Sequence, residues 1–290
     1  MSAGPRRIVC LSAETTETLY LLGEEDRIVG ISGFTVRPPR ARHEKLKISG
    51  FTSAKIERIV ELEPDLVLGF SNLQADIAAE LARKGLEVHI FNQRSVEQIL
   101  DFIGMLGRMV GATDRARALI DRLRGGLEAA RRAALALPYR PRVYFEEWDD
   151  PLISGIRWTA ELIGIAGGED CFPDLSARTG AKDRIIADPL EVVRRAPEVL
   201  IASWCGKKFD RRRVLERSGW QHVPAVRHGR LFEIKSCDIL QPGPAALSDG
   251  LRQLCAIITQ CAQEMANPGA AASGANYADS AASSGRPEWP

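Results

Sequence analysis

The chain has 290 residues, 45% hydrophobic and 27% charged. That is a globular composition, with length for two domains at roughly 100–200 residues each. Thirty-nine Lys plus Arg stand against 38 Asp plus Glu, and the net charge of +1 exerts no global pull toward nucleic acid or a membrane surface. No apolar run approaches the roughly 18–20 residues of a membrane-spanning helix, and Met1 to Arg7 leads straight into a strand pattern without an apolar export stretch. As written, the chain is expected in the cytoplasm unless a leader was removed.

Strand and helix signals alternate from the start. Residues 7–11 form a short apolar strand, and 15–22 a helix with Thr18, Leu19 and Leu22 on one stripe, stopped by Gly23. Further strands are expected over 27–31, 65–70 and 87–91. Ser53 is placed to cap a helix over 54–62 that Pro64 ends, and Gly85 closes a helix over 76–84. Ser95 with Gln98 makes a capping box for a helix running to Val110. Thr113-Asp114 opens a longer helix to about Leu137, with Ala116, Leu119, Ile120, Leu123 and Leu127 on its apolar stripe. At 1.5 Å per residue it reaches about 33 Å, enough to tie one small domain to another. Gly125-Gly126 is a weak point inside it, up to about 1 kcal/mol per glycine against alanine.

After Pro141 the rhythm resumes, with strands over 142–146, 198–203 and 230–235, helices over 158–166, 188–196 and 210–218, and a closing helix over 245–265. The fold class is α/β: two Rossmann-like lobes joined by a single long rigid helix, with a ligand cleft between them. The expected divisions are a first lobe over 1–111, a bridging helix over 112–138, a second lobe over 139–266, and a disordered Ala-, Gly- and Ser-rich tail over 267–290. An internal echo supports two lobes. Residues 57–68 and 190–201 share a helix, a breaking proline (Pro64, Pro197), an acidic residue and an apolar strand. Open sheets of this kind bind ligands outside the carboxyl ends of their strands.

The six cysteines form no Cys-x-x-Cys pair and no zinc spacing, and are read as isolated thiols. Glu146, Glu147, Asp149 and Asp150 follow an apolar strand and are expected to fan into solvent or to meet polar or cationic ligand groups. The run from Lys207 to Arg213 is read as a solvated helix start. Dinucleotide, phosphate-loop and nucleophile-elbow signatures are missing, and the adjacent Glu146 and Glu147 face opposite sides of a strand, so no general acid–base pair is indicated. The chain is read as non-catalytic and without a resident metal or covalent cofactor.

From Arg7-Ile-Val, Glu17 to Gly23 and Arg27 to Gly30, through Gly50-Phe51, Ile56 to Val60 and Pro64-Asp-Leu-Val67, to Glu161-Leu-Ile and Ala166 to Glu169, the chain resembles the class III substrate-binding proteins of ABC importers. Within these it is most similar to the vitamin B12-binding proteins and their iron-siderophore and heme relatives. The likeness spans about residues 6–262, and the order and spacing of its parts carry it. It implies a corrinoid, cobalamin-like ligand held between the lobes, with Phe34, Phe51, Phe70, Trp148, Leu152 and Asp238 lining the cleft, and Trp204 is read as lining it from its own place just past a strand. Aromatic rings suit that role by offering large rigid contact area to a flat macrocycle. The resemblance further implies an ABC permease as partner, docked through Glu57 and a second-lobe glutamate. The matching second position is Leu190, with Glu191 next to it, and one residue turns a helical side chain by about 100°. A monomer without nucleic-acid partners is expected. The alternatives are a cytosolic cofactor-handling protein or enzyme of corrinoid or tetrapyrrole metabolism on the same scaffold, and an iron-siderophore or heme binder.

Overall fold

The computed structural model describes residues 4–267. Apart from Asn267, the expected tail lies outside them. The first lobe runs β1 (Ile8–Cys10), α1 (Ala13–Leu21), β2 (Ile28–Ser32), α2 (Ala41–Glu44), β3 (Lys47–Ser49), α3 (Ile56–Glu61), β4 (Leu66–Phe70), α4 (Ala75–Arg83), β5 (Val88–Phe91) and α5 (Val96–Met109). Its strands form one parallel sheet in the order β3-β2-β1-β4-β5. The central strands β1 and β4 are buried throughout, as the unbroken apolar runs of a sheet covered on both faces require. The strand order reverses between β1 and β4, which opens a crevice beyond their carboxyl ends.

The chain then passes through α6 (Thr113–Ala134), 22 residues without a break. Ala116, Leu119, Leu123 and Leu127 form its buried stripe, and α6 packs against α5 on one side. Gly125 and Gly126 do not interrupt it, and an added Cβ at either would meet only open space. The second lobe holds β6 (Arg142–Asp149), β7 (Leu152–Ser154), α7 (Arg157–Ile165), β8 (Glu169–Asp170), α8 (Pro173–Ser176), α9 (Leu190–Arg195), β9 (Val199–Ala202), α10 (Arg211–Leu215), α11 (Pro224–Arg227), β10 (Leu231–Glu233), α12 (Ser236–Ile239) and α13 (Leu251–Ala266). Its strands run β10-β9-β6-β7, with β8 also on β6 and β7 antiparallel. A π-helical turn over Ala246–Gly250 leads into α13.

One hydrophobic core crosses the whole molecule. It runs from Ile8, Leu19 and Ile103 through Leu119 and Leu123 of α6 to Phe145, Leu162 and Ile258. Each such side chain contributes about 1.5–3 kcal/mol on burial, so α6 is welded to both lobes rather than strung between them. The internal echo is present in the backbone as well. The residue before each breaking proline, Glu63 and Ala196, has φ of 45°, the left-handed stop that ends a helix. Ser95 caps α5 as its sequence indicates, accepting from the Gln98 amide. Ser53 does not cap α3: Ala54 bridges to Ser49 instead, and the helix starts two residues later at Ile56. Likewise β6 runs to Asp149, three residues past its expected end, because β7 folds back to pair with it. No described helix is long and apolar enough to cross a membrane.

Candidate functional site

The carboxyl ends of the two sheets meet, and polar bonds join them. Gln93, beyond β5, donates to the Pro242 carbonyl at 2.8 Å, and the Ala245 amide donates to Glu17 Oε2 at 3.2 Å. The strongest link is Arg37, in the loop after β2. Its guanidinium donates to Glu17 at 2.8 Å, Asp238 at 3.1 Å and Asp249 at 2.6 Å. One cation of the first lobe thus gathers two carboxylates of the second and one of α1. The π-helical turn carries Asp249, and such turns re-aim side chains within a helix.

α1 supplies an unusual lining. Its residues from Ala13 to Tyr20 are all buried, including Glu14, Thr15, Thr16, Glu17 and Thr18. The three threonine hydroxyls donate back to carbonyls of Ser12 and Glu14, which satisfies them locally. Glu14 is met in part by its own amide and the Ser12 hydroxyl, and its Oε1 is buried without a hydrogen-bond partner among the described residues. Burial raises its carboxyl to about 7, with nearby Glu17 adding to the rise and Arg94 opposing it.

Beyond β4 and β5 stands Arg94. Its guanidinium lies 4.7 Å from the Phe70 ring centroid, a cation–π contact, and Nη2 donates to Ser71 Oγ at 3.1 Å. Ser71 has φ of 78° with ψ of 150°, a conformation that glycine adopts freely and serine rarely. Burial lowers the Arg94 pKa, and Arg184 of the second lobe lowers it further while Glu14 and Glu147 oppose.

The second-lobe edge is charge-matched. Glu146, fully buried, accepts from Arg217 at 2.6 and 2.9 Å and from the Trp204 indole at 2.9 Å. Glu147 holds Arg184 through two bonds of 2.6 and 3.0 Å, and Arg184 also donates to the Ser154 carbonyl. Asp149 takes Lys207 and Arg213. The expectation that these acids fan into solvent or wait for a ligand is therefore corrected: three of the four are neutralised inside the lobe, because β6 carries them into the packed edge where arginines reach them. Lys207 and Arg213 reach Asp149 from a run that is otherwise largely exposed and opens α10 behind the Asp210 cap.

The aromatic positions divide. Phe34 is 53% exposed, and Phe51 is half-buried with its carbonyl accepting from Gln74 at 2.9 Å. Phe70 is buried beneath Arg94. Trp148 is half-buried on β6, and the Lys207 ammonium lies 5.1 Å from its ring and 4.8 Å from the ring of Trp204. Leu152 and Trp204 correct their expectation as cleft lining: both are buried in the second-lobe core. The buried Glu146 explains the turn of Trp204 inward, since it takes the indole N–H as a donor. Asp238 sits at the lobe junction, but Arg37 and Gln253 occupy its carboxylate. Sequence reasoning missed Glu14, Glu17, Arg37, Arg94 and Arg184. A cluster of two acids and three threonines directly after the first strand was the available signal for α1.

Glu57 on α3 is exposed and touches Lys84 at 3.1 Å, whereas Glu191 on α9 is tied to Arg194 at 2.7 Å and Arg195 at 2.8 Å. Among the described residues no group of three His, Cys, Asp or Glu side chains is placed to hold a metal ion. Burial pushes the thiols of Cys10, Cys171 and Cys261 up to about 12 and Cys237 up to about 11, so none of these four is a thiolate at neutral pH. A separate cavity of about 620 Å³ opens between α5 and α6, lined by Phe102, Met105, Arg108, Ile120 and Arg124. Its walls are flanks of the two helices together with Phe91 at the end of β5 and Asn92 and Gln93 beyond it.

The model of a family described as periplasmic binding protein matches residues 8–237. The vitamin B12-binding protein of Vibrio parahaemolyticus is 26% identical over 250 residues, covering 83% of this chain and 86% of its own. An uncharacterized ABC transporter substrate-binding lipoprotein of Bacillus subtilis is 24% identical over 259 residues, covering 86% of this chain and 79% of its own. The apo structure of the periplasmic heme-binding protein of Roseiflexus superposes with a TM-score of 0.77 at 23% identity, covering 90% of this chain and all of that one.

Proposed function

This chain belongs to the periplasmic binding protein family, and from that premise we propose that it holds a corrinoid between its two lobes and performs no chemistry on it. The observation that carries the reading is the placement of rings on both sides of the junction. Phe34 and Phe51 present surface at strand ends of the first lobe, and Trp148 does so at the strand end of the second. Such rings form a low-entropy clamp for a flat guest. Kinship to a vitamin B12-binding protein supports the corrin over other chelates. Heme is the second reading, supported by the likeness in fold to a heme-binding protein.

Titration with cobinamide, cobalamin and heme, followed by absorbance and calorimetry, tests this directly. Saturable corrinoid binding is the expected result, and no saturation by any of the three below roughly 100 μM overturns the ligand class. Docking to an ABC permease is the proposed partnership, with Glu57 exposed and held by Lys84 alone and Glu191 held by two arginines of its own helix. Pull-down with the permease should weaken on Glu57→Ala and change less on Glu191→Ala. An interaction indifferent to Glu57 removes the docking proposal.

A further inference from the structure

The link that Arg37 makes between the lobes is anchored at both ends. On the first lobe its loop is rooted to its own sheet. The Gly33 amide donates to the Ser49 carbonyl at 2.7 Å, and the amide of the fully buried Thr35 donates to the Ser32 carbonyl at 3.0 Å. Arg42 donates to the Thr35 carbonyl at 3.2 Å. On the second lobe Asp238 of α12 accepts from Gln253 at 3.2 Å, and Asp249 accepts from Arg252 at 2.6 Å. The π-helical turn that carries Asp249 lies against α12, since a Cβ at Gly250 would stand 2.5 Å from the Asp238 carbonyl oxygen. Arg37 spans these anchors with donors to Glu17, Asp238 and Asp249. A guanidinium is planar and its donors point in fixed directions, so acceptors on two bodies fix an angle as well as a distance. The two backbones also close up here. A Cβ at Gly243 would stand 2.6 Å from the Glu14 Cβ and 3.3 Å from its Cα, so the second-lobe turn meets α1 with no room for a side chain.

We propose that Arg37 is a positioning residue that, with the Gly243 contact, sets the separation of the lobes and so the gap across which Phe34 and Trp148 take up the ligand, an inference that rests on the corrinoid reading. Phe34 stands three residues before Arg37 in the same loop, with its ring 3.8 Å from where a Cβ on Gly50 would lie. Trp148 stands on β6 of the other lobe. A ring on one lobe gives its full contact energy only while the other lobe holds the guest against it. A radial gap of about 0.5–1 Å already forfeits a quarter to a half of each contact. Loss of the Arg37 link therefore lowers what Phe34 contributes to binding, although Phe34 keeps its own anchors in the first lobe.

A double-mutant cycle on the full-length chain, with cobinamide affinity read by calorimetry, tests this. Phe34→Ala should weaken cobinamide about ten-fold in the wild-type background, and about three-fold or less alongside Arg37→Ala. Gly243→Ala wedges the turn away from α1 without removing any charge, and should shrink the Phe34 effect in the same way. It carries the test if Arg37→Ala does not fold. A Phe34→Ala loss of the same size in every background is what a merely structural role for Arg37 gives; it overturns the proposal and leaves the corrinoid reading in place. Hydrogen exchange of the chain alone is the arm that needs no ligand. Exchange over 236–250 should quicken in Arg37→Ala, and unchanged exchange there overturns the positioning role whether or not a corrinoid binds. If the wild-type chain binds no corrinoid, the ligand reading falls and with it the role of the gap in binding, while the exchange result still decides whether Arg37 holds the lobes.

Discussion

The two lobes share a scaffold and differ in how they treat charge at their strand ends. In the second lobe every buried acid of β6 has a basic partner of its own, as Glu146 with Arg217, Glu147 with Arg184 and Asp149 with Lys207. In the first lobe neither Glu14 nor Arg94 forms a salt bridge among the described residues, and each keeps a buried polar atom without a hydrogen-bond partner. A self-neutralised edge is a wall whose charges are matched before anything binds. An edge with unmet demands is one that a ligand completes, at some expense to the stability of the empty protein.

That contrast is most sharply tested by removing one arginine from each edge. Arg217→Met strands the fully buried Glu146 and should destabilise by about 3–5 kcal/mol in denaturant unfolding. Arg94→Met strands no carboxylate and should cost about 1 kcal/mol or less. Equal losses would erase the distinction between the edges. Next in size is the junction. Arg37→Ala leaves Glu17 and Asp238 without a cation and Asp249 with Arg252 alone, and about 2–4 kcal/mol should be lost, with faster hydrogen exchange over 236–250. Unchanged exchange there would mean the lobes are held by the shared core alone.

Glu14 gives a pH signature that the second lobe lacks. Its folded carboxyl is raised from 4.5 to about 7, the reverse of a salt-bridged acid. The folded state keeps a proton that the unfolded chain has released, so stability falls as pH rises through that window and is unaffected below it. Glu14→Gln should therefore be more stable than wild type at pH 8 by on the order of 3 kcal/mol and equal to it at pH 4. A difference independent of pH would mean that Glu14 is not the titrating group. The smallest stability effect belongs to Phe34→Ala, within about 0.5 kcal/mol because the ring is already exposed, while corrinoid affinity should drop. A large loss of stability with affinity intact would make Phe34 a packing residue.

The sequence by itself determined the alternation of elements, the apolar runs of β1 and β4, the stripe of α6, the cap at Ser95 and the doubled helix–proline–strand unit. These follow from local periodicity and turn chemistry, which act over a few residues. Only the tertiary structure decided which polar side chains are buried and with whom. Arg37, Arg94 and Glu14 read as ordinary charged residues near loops, and Trp204 as a candidate for the cleft. Their fates depend on partners remote in the chain, 58 positions for Trp204 with Glu146 and 212 for Arg37 with Asp249. The cost of burying a charge is set by the three-dimensional neighbourhood, and no local pattern encodes that.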